Sequence, residues 1–130
     1  MIRPYRPEDE SALREMHAAQ GFDYPFPDLT QPEFVSLLVA VDENDVPVQA
    51  VLARKTVEIY FLGQKEWRNP AWRMETLAKL HFGMHGLLLA QGYTDAHCWM
   101  PPQVSKSFGR RLRKVFGWVE SRWTCFAKEL

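Results

Sequence analysis

A leucine-rich helix, a short apolar strand and a strongly basic helix follow one another with almost no intervening chain in the C-terminal half of this sequence. That order constrains the fold more than any other feature. The helical stretch Met74 to Gln91 stops at Gly92-Tyr93, a strand is expected over Asp95–Met100, and Pro101-Pro102 opens the next helix. That helix ends at Phe116-Gly117-Trp118, and a closing strand is expected over Trp123–Leu130. Helices alternating with strands must bury their apolar faces on a sheet, which gives a layered α/β or α+β domain. In the first of these helices Leu77, Leu80, Met84, Leu87 and Leu88 share one stripe. Gly83 and Gly86 inside it cost about 1 kcal/mol each relative to Ala, a cost that close approach to a sheet would offset. In the second, Val104, Phe108, Leu112 and Val115 fall together, with Lys106, Arg110, Arg113 and Lys114 opposite.

The N-terminal half has a different rhythm. Ile2–Arg6 reads as a short strand, and Pro7 suits a first helical position, with Glu8, Asp9 and Glu10 complementing the helix dipole. Leu13, Met16 and Ala19 then recur at helical spacing, and Gly21 is placed to end the helix in a left-handed conformation. Pro25, Pro27 and Pro32 break the aromatic-rich stretch from Phe22 to Pro32, so an ordered loop is expected there. Phe34–Val41 and Val46–Ala53, joined by the polar turn Asp42-Glu43-Asn44-Asp45, form a hairpin. Thr56–Leu62 alternates, Val57, Ile59 and Phe61 against Glu58, Tyr60 and Leu62, and is expected at the centre of the sheet.

The chain of 130 residues is the size of one domain, and one domain over residues 1–130 is expected. Its composition argues against disorder and repeats, and its apolar runs fall far short of a membrane span. A soluble cytoplasmic protein follows as the expectation. Cys98 and Cys125 lack metal or redox spacing and are read as two buried, reduced thiols. Zero net charge conceals an asymmetry: residues 1–62 carry eleven acids and five bases, residues 63–130 five acids and eleven bases. An anionic ligand is therefore expected in the C-terminal half.

The order of elements, the opening Ile2-Arg3-Pro4-Tyr5-Arg6-Pro7-Glu8-Asp9 and the terminal Phe116-Gly117-Trp118 together resemble the GNAT acetyltransferase superfamily. Arg73-x-x-Thr76-x-Ala78 resembles a degenerate form of that superfamily's R/Q-x-x-G-x-G/A pyrophosphate loop. The resemblance implies a central, mixed and mostly antiparallel sheet of about six to seven strands flanked by about four helices. It also implies acetyl-CoA or another acyl-CoA as co-substrate, lying against Phe61 and Leu62. Its phosphates would sit near Arg68, Arg73, Thr76, Leu77 and Ala78, with Ser105 and Arg110 contributing from the basic helix. In the superfamily the pyrophosphate rests mainly on backbone amides at the helix start. Thr76 and Ala78 replace the glycines that allow this, and Glu75 adds a negative charge beside them.

Acyl transfer to an amine needs a base for the ammonium proton and an acid for the departing thiolate. Glu58, with Tyr60 on the same face, is the candidate base, whereas the position of the family's usual acid tyrosine is Arg113. The resemblance places the acceptor, a small-molecule or protein amine, near Phe22, Tyr24 and Phe26.

Other constellations point to structure. His81 and His85 are four apart, as metal pairs require, but no Glu or Cys completes a ligand set, so His81 is read as a hydrogen-bonded core histidine and no metal is expected. His97 and Cys98 are adjacent on a strand and face opposite ways, which excludes a catalytic dyad. Trp67, Trp72 and Trp99 are read as packing residues. Two functional readings remain. One is an N-acyltransferase; the other is a noncatalytic module that binds nucleic acid or an acidic protein through the basic helix 104–116. A homodimer is compatible with either.

Overall fold

The computed structural model describes all of residues 1–130, which fall into two compact units, Met1–Thr56 and Val57–Leu130.

In the first unit, strand β1 (Ile2–Pro4) leads through a 3-10 turn (Pro7–Asp9) into helix α1 (Glu10–Gln20). Gly21 closes that helix at φ 70°, a conformation open to glycine because it lacks a Cβ. Strands β2 (Phe34–Val41) and β3 (Pro47–Arg54) form the hairpin, and the sheet order is β1-β2-β3, antiparallel throughout. Ile2 pairs with Ala40, and Leu38 pairs with Val51. Asp42 shapes the turn by accepting from the N–H groups of Asn44 and Val46, both at 2.9 Å. The core gathers Leu13 of α1, Leu29, Val39 and Val41, with Met16, Phe26, Leu37 and Leu52 packed around them.

The second unit is built from α2 (Pro70–Ala90) and α3 (Pro102–Phe116). Asn69 caps α2 by accepting from the N–H of Trp72 at 3.0 Å, and Pro70 takes the first helical position, where a missing N–H costs nothing. Gly117, at φ 73°, ends α3. Leu112 is the deeply buried side chain here, 1% exposed.

The expectation of six to seven strands and about four helices is overturned: one three-stranded sheet and three α-helices are present. Thr56–Leu62 and Asp95–Met100 are joined only at Glu58 and His97, by a single parallel bridge. In it Ile59 N–H donates to His97 C=O and His97 N–H to Val57 C=O, both at 2.8 Å. The segment after Gly117 forms no strand. Alternation reports a preference for extended backbone, but a sheet also needs a partner ladder, and beyond that bridge these segments have none. The proline-rich stretch 22–33 adds no helix, consistent with three prolines that remove donors and fix φ. The α2 helix also begins four residues before Met74.

Candidate functional site

The start of α2 brings Arg73, Thr76 and Leu77 to a cavity that α3 also lines. Along α3, Val104, Ser107, Phe108 and Arg111 recur at positions i, i+3, i+4 and i+7 and so share a face. Between the two faces and the segment 61–67 lies a cavity of about 800 Å³. Phe61, Leu62, Trp67, Met74, Leu77, Leu80, Val104 and Phe108 make its walls apolar, and Lys65, Arg73 and Arg111 bring positive charge to it. Phe61 packs edge-on against Phe108, with ring centroids 5.2 Å apart.

Of the nine residues expected around a cofactor, Phe61, Leu62, Arg73, Thr76 and Leu77 line this cavity; Arg68, Ala78, Ser105 and Arg110 do not. Because α2 starts at Pro70, Arg73, Thr76 and Ala78 are helical residues and not a loop before a helix. The amides that would receive a pyrophosphate are largely used. Pro70 has none, the Trp72 N–H is held by Asn69 Oδ1, and the Arg73 N–H donates to Asn69 C=O.

Arg73 is also committed elsewhere. Its guanidinium donates to the carbonyls of Trp67 at 3.2 Å and Arg68 at 2.7 Å, locking the chain that enters α2. In that locked segment Arg68 adopts φ 50°, uncommon for a residue with a Cβ. Its guanidinium lies 4.9 Å from the ring centroid of Trp72 and 5.6 Å from that of Trp67. Trp67 and Trp72 are 41% and 46% exposed, so the reading of both as packing residues is corrected: they form a platform for a cation.

Glu58 and Tyr60 are brought together. Hydrogen bonding to the Glu58 side chain, followed by the charge of its carboxylate, raises the Tyr60 phenol above its usual range. Both side chains are exposed. Leu62, two residues further along the same face, reaches the cavity.

Phe22, Tyr24 and Phe26 belong to the first unit, where Phe22 stacks on Tyr24 at 5.6 Å and Tyr24 and Phe26 meet the ring of His17 edge-on. Arg14 covers Phe26 at 4.6 Å. Their rings are engaged with one another, with His17 and with Arg14.

Lys65, Trp67, Met74, Ser107, Phe108 and Arg111 are site residues that motif reasoning did not assign to a cofactor. The helical face of Val104, Ser107, Phe108 and Arg111 was the signal available; grouping Val104 and Phe108 only with Leu112 and Val115 concealed it.

His81 accepts from the Trp118 indole N–H at 2.9 Å and stacks on Phe116 at 4.4 Å, beside a second, smaller cavity. Burial, and next the charge of His85, push its pKa below the usual histidine value. No group of three metal-ligating side chains is present. Cys98 is partly buried, and burial followed by the Glu58 charge raises its thiol; Cys125 is exposed, which corrects the expectation that both are buried. No helix is long and apolar enough to cross a membrane.

Comparison of the chain with protein-family models, curated proteins and solved structures finds no match.

Proposed function

We propose that the second unit binds an acyl-CoA and transfers its acyl group to an amine, in the cytoplasm. The reading is carried by one observation: an apolar cavity of about 800 Å³, within the size range of small-molecule sites, has unpaired cations beside it. The side chains of Lys65, Arg68 and Arg111 make neither an ion pair nor a hydrogen bond to the protein. An amphipathic ligand with an apolar arm and a phosphorylated head matches both parts, and acyl-CoA is such a ligand.

Glu58 takes the proton from the acceptor ammonium, the freed amine attacks the thioester carbonyl, and the carbon–sulfur bond breaks to release the CoA thiolate. Tyr60, whose phenol is raised beside Glu58, gives a proton to that thiolate and takes one back from the nitrogen of the new amide, and Glu58 releases its proton to solvent. Titration with acetyl-CoA tests binding, and product formation with a panel of amines tests transfer. Glu58→Gln is expected to bind as the parent does while losing roughly 100-fold or more of its turnover. A parent protein that is folded yet shows no binding at millimolar acetyl-CoA ends this reading.

A second reading rests on the outer face of α3. Lys106, Arg110 and Lys114 are exposed there without a carboxylate partner, whereas Arg113 is held by Glu120 at 2.8 Å. A noncatalytic module would use this face for a polyanion. Reversing the three free charges would then abolish nucleic-acid binding and spare acetyl-CoA binding.

A further inference from the structure

We infer that Arg68 is the residue that reads the phosphates of the ligand, and that Arg73, the motif arginine, serves only to position it. This rests on the acyl-CoA reading above and names how that site tells a phosphorylated carrier from a bare one.

The helix start cannot hold the phosphates as a glycine loop does, since Pro70 has no amide hydrogen, the Trp72 and Arg73 amides are held by Asn69, and only Ala71 is left among the first four. The load passes to side chains. Arg73 is poorly placed to share it, because one of its terminal nitrogens already serves two carbonyls. Those two carbonyls belong to Trp67 and Arg68 themselves, so the Arg73 contacts fix the backbone that aims Arg68.

Arg68 has the opposite character. Its guanidinium lies over two indole rings, and its N–H groups have no protein acceptor. A guanidinium held over aromatic rings with its N–H groups unpaired is available for bidentate contact with phosphate oxygens. Trp67, one of the two rings, is itself a wall of the cavity, so the Arg68 guanidinium stands 5.6 Å from a ring that lines it. The unusual φ of 50° is held by the Arg73 bonds, and an over-determined outlier of this kind is a mark of a binding segment.

Calorimetric titration of the full chain with CoA and with pantetheine, which keeps the arm and thiol but has no phosphate, tests the assignment. The parent is expected to bind CoA more tightly by roughly 10- to 100-fold, the range for hydrogen bonds between charged groups. Arg68→Gln is expected to bring CoA down to the pantetheine level while leaving pantetheine unchanged. Arg68→Gly, which suits the left-handed backbone, repeats the test without strain. Arg73→Gln should weaken CoA alone, and adding it to Arg68→Gln should cost nothing further, a non-additivity that a direct phosphate contact from Arg73 would not give. CoA affinity unmoved by Arg68→Gln, additive losses, or equal parent affinities for CoA and pantetheine overturns the inference while the acyl-carrier site stands. Failure of the parent to bind either ligand removes the site itself.

Discussion

Arg3 and Asp9 close a two-pronged ion pair, with guanidinium nitrogens 2.8 and 2.9 Å from the two carboxylate oxygens and both side chains largely buried. The pair joins β1 to the turn that starts α1. Asp9 also accepts from the Arg6 N–H at 2.8 Å, and Arg3 reaches on to Asp45 in the β2–β3 turn. The Arg3 contact above all holds the Asp9 pKa down to about 2, from an ordinary 3.8.

A carboxylate with a depressed pKa contributes stability that is complete above its unfolded value and is lost as pH falls through the folded one. The first unit should therefore lose stability between about pH 4 and pH 2. Asp9→Asn should be less stable than the parent at pH 7, and the two should converge below pH 2. Far-ultraviolet circular dichroism of melts across this range checks both; parallel curves at every pH would contradict the assignment.

His81 gives the second unit a different pH response. Its Nε2 accepts from Trp118, so the proton sits on Nδ1, which is buried without a partner. Acid must protonate Nε2 and break that bond. With the folded pKa below the ordinary 6.5, the unfolded state takes up protons first, so stability is full above about 6.5 and falls as pH drops towards the folded value. A titration of His81 by NMR should show a midpoint below 6.5, and Trp118→Phe should move it upward. A midpoint above 6.5 in the parent would contradict this account.

Gly83 and Gly86 lie inside α2, and a Cβ at either would meet no atom within 4 Å. The close packing expected to offset them is therefore absent. Gly83→Ala and Gly86→Ala should each stabilise the protein by about 1 kcal/mol in thermal or urea melts. Destabilisation by either would mean that something approaches this face of the helix.

Cys125 is exposed, whereas Cys98 is partly buried with its thiol raised. Only the thiolate attacks, so a limiting amount of iodoacetamide at pH 7.5 should label Cys125 first, as peptide mass mapping would show. Comparable labelling at both sites would place Cys98 in a more open environment than the one described.

Local signals survived the passage from sequence to structure where one short segment decides the outcome. Gly21 and Gly117 end helices in the left-handed conformation, Asp42 builds the hairpin turn, and Phe34–Val41 is a strand, as patterning indicates. Pairing was less legible. Glu58–Leu62 alternates as well as any strand in the chain, yet alternation carries no information about its neighbour, and only the bridge to His97 forms. The site divides in the same way. Of the residues expected around a cofactor, Arg73, Thr76 and Leu77 line the cavity, whereas Ala78, from the same expected loop, does not. The roles proposed for Arg68 and Arg73 were not legible, because they rest on a positive φ and on two carbonyl contacts that no spacing rule encodes.

The left-handed backbone at Arg68 sets two demands on one position. Conformational preference alone favours glycine or asparagine there, and either relieves strain of order 1 kcal/mol. A population of variants selected only for resistance to heat should drift away from arginine at position 68, while one selected for retention of a phosphorylated ligand should keep it. The residue found there after each kind of selection separates what the fold needs from what the site needs.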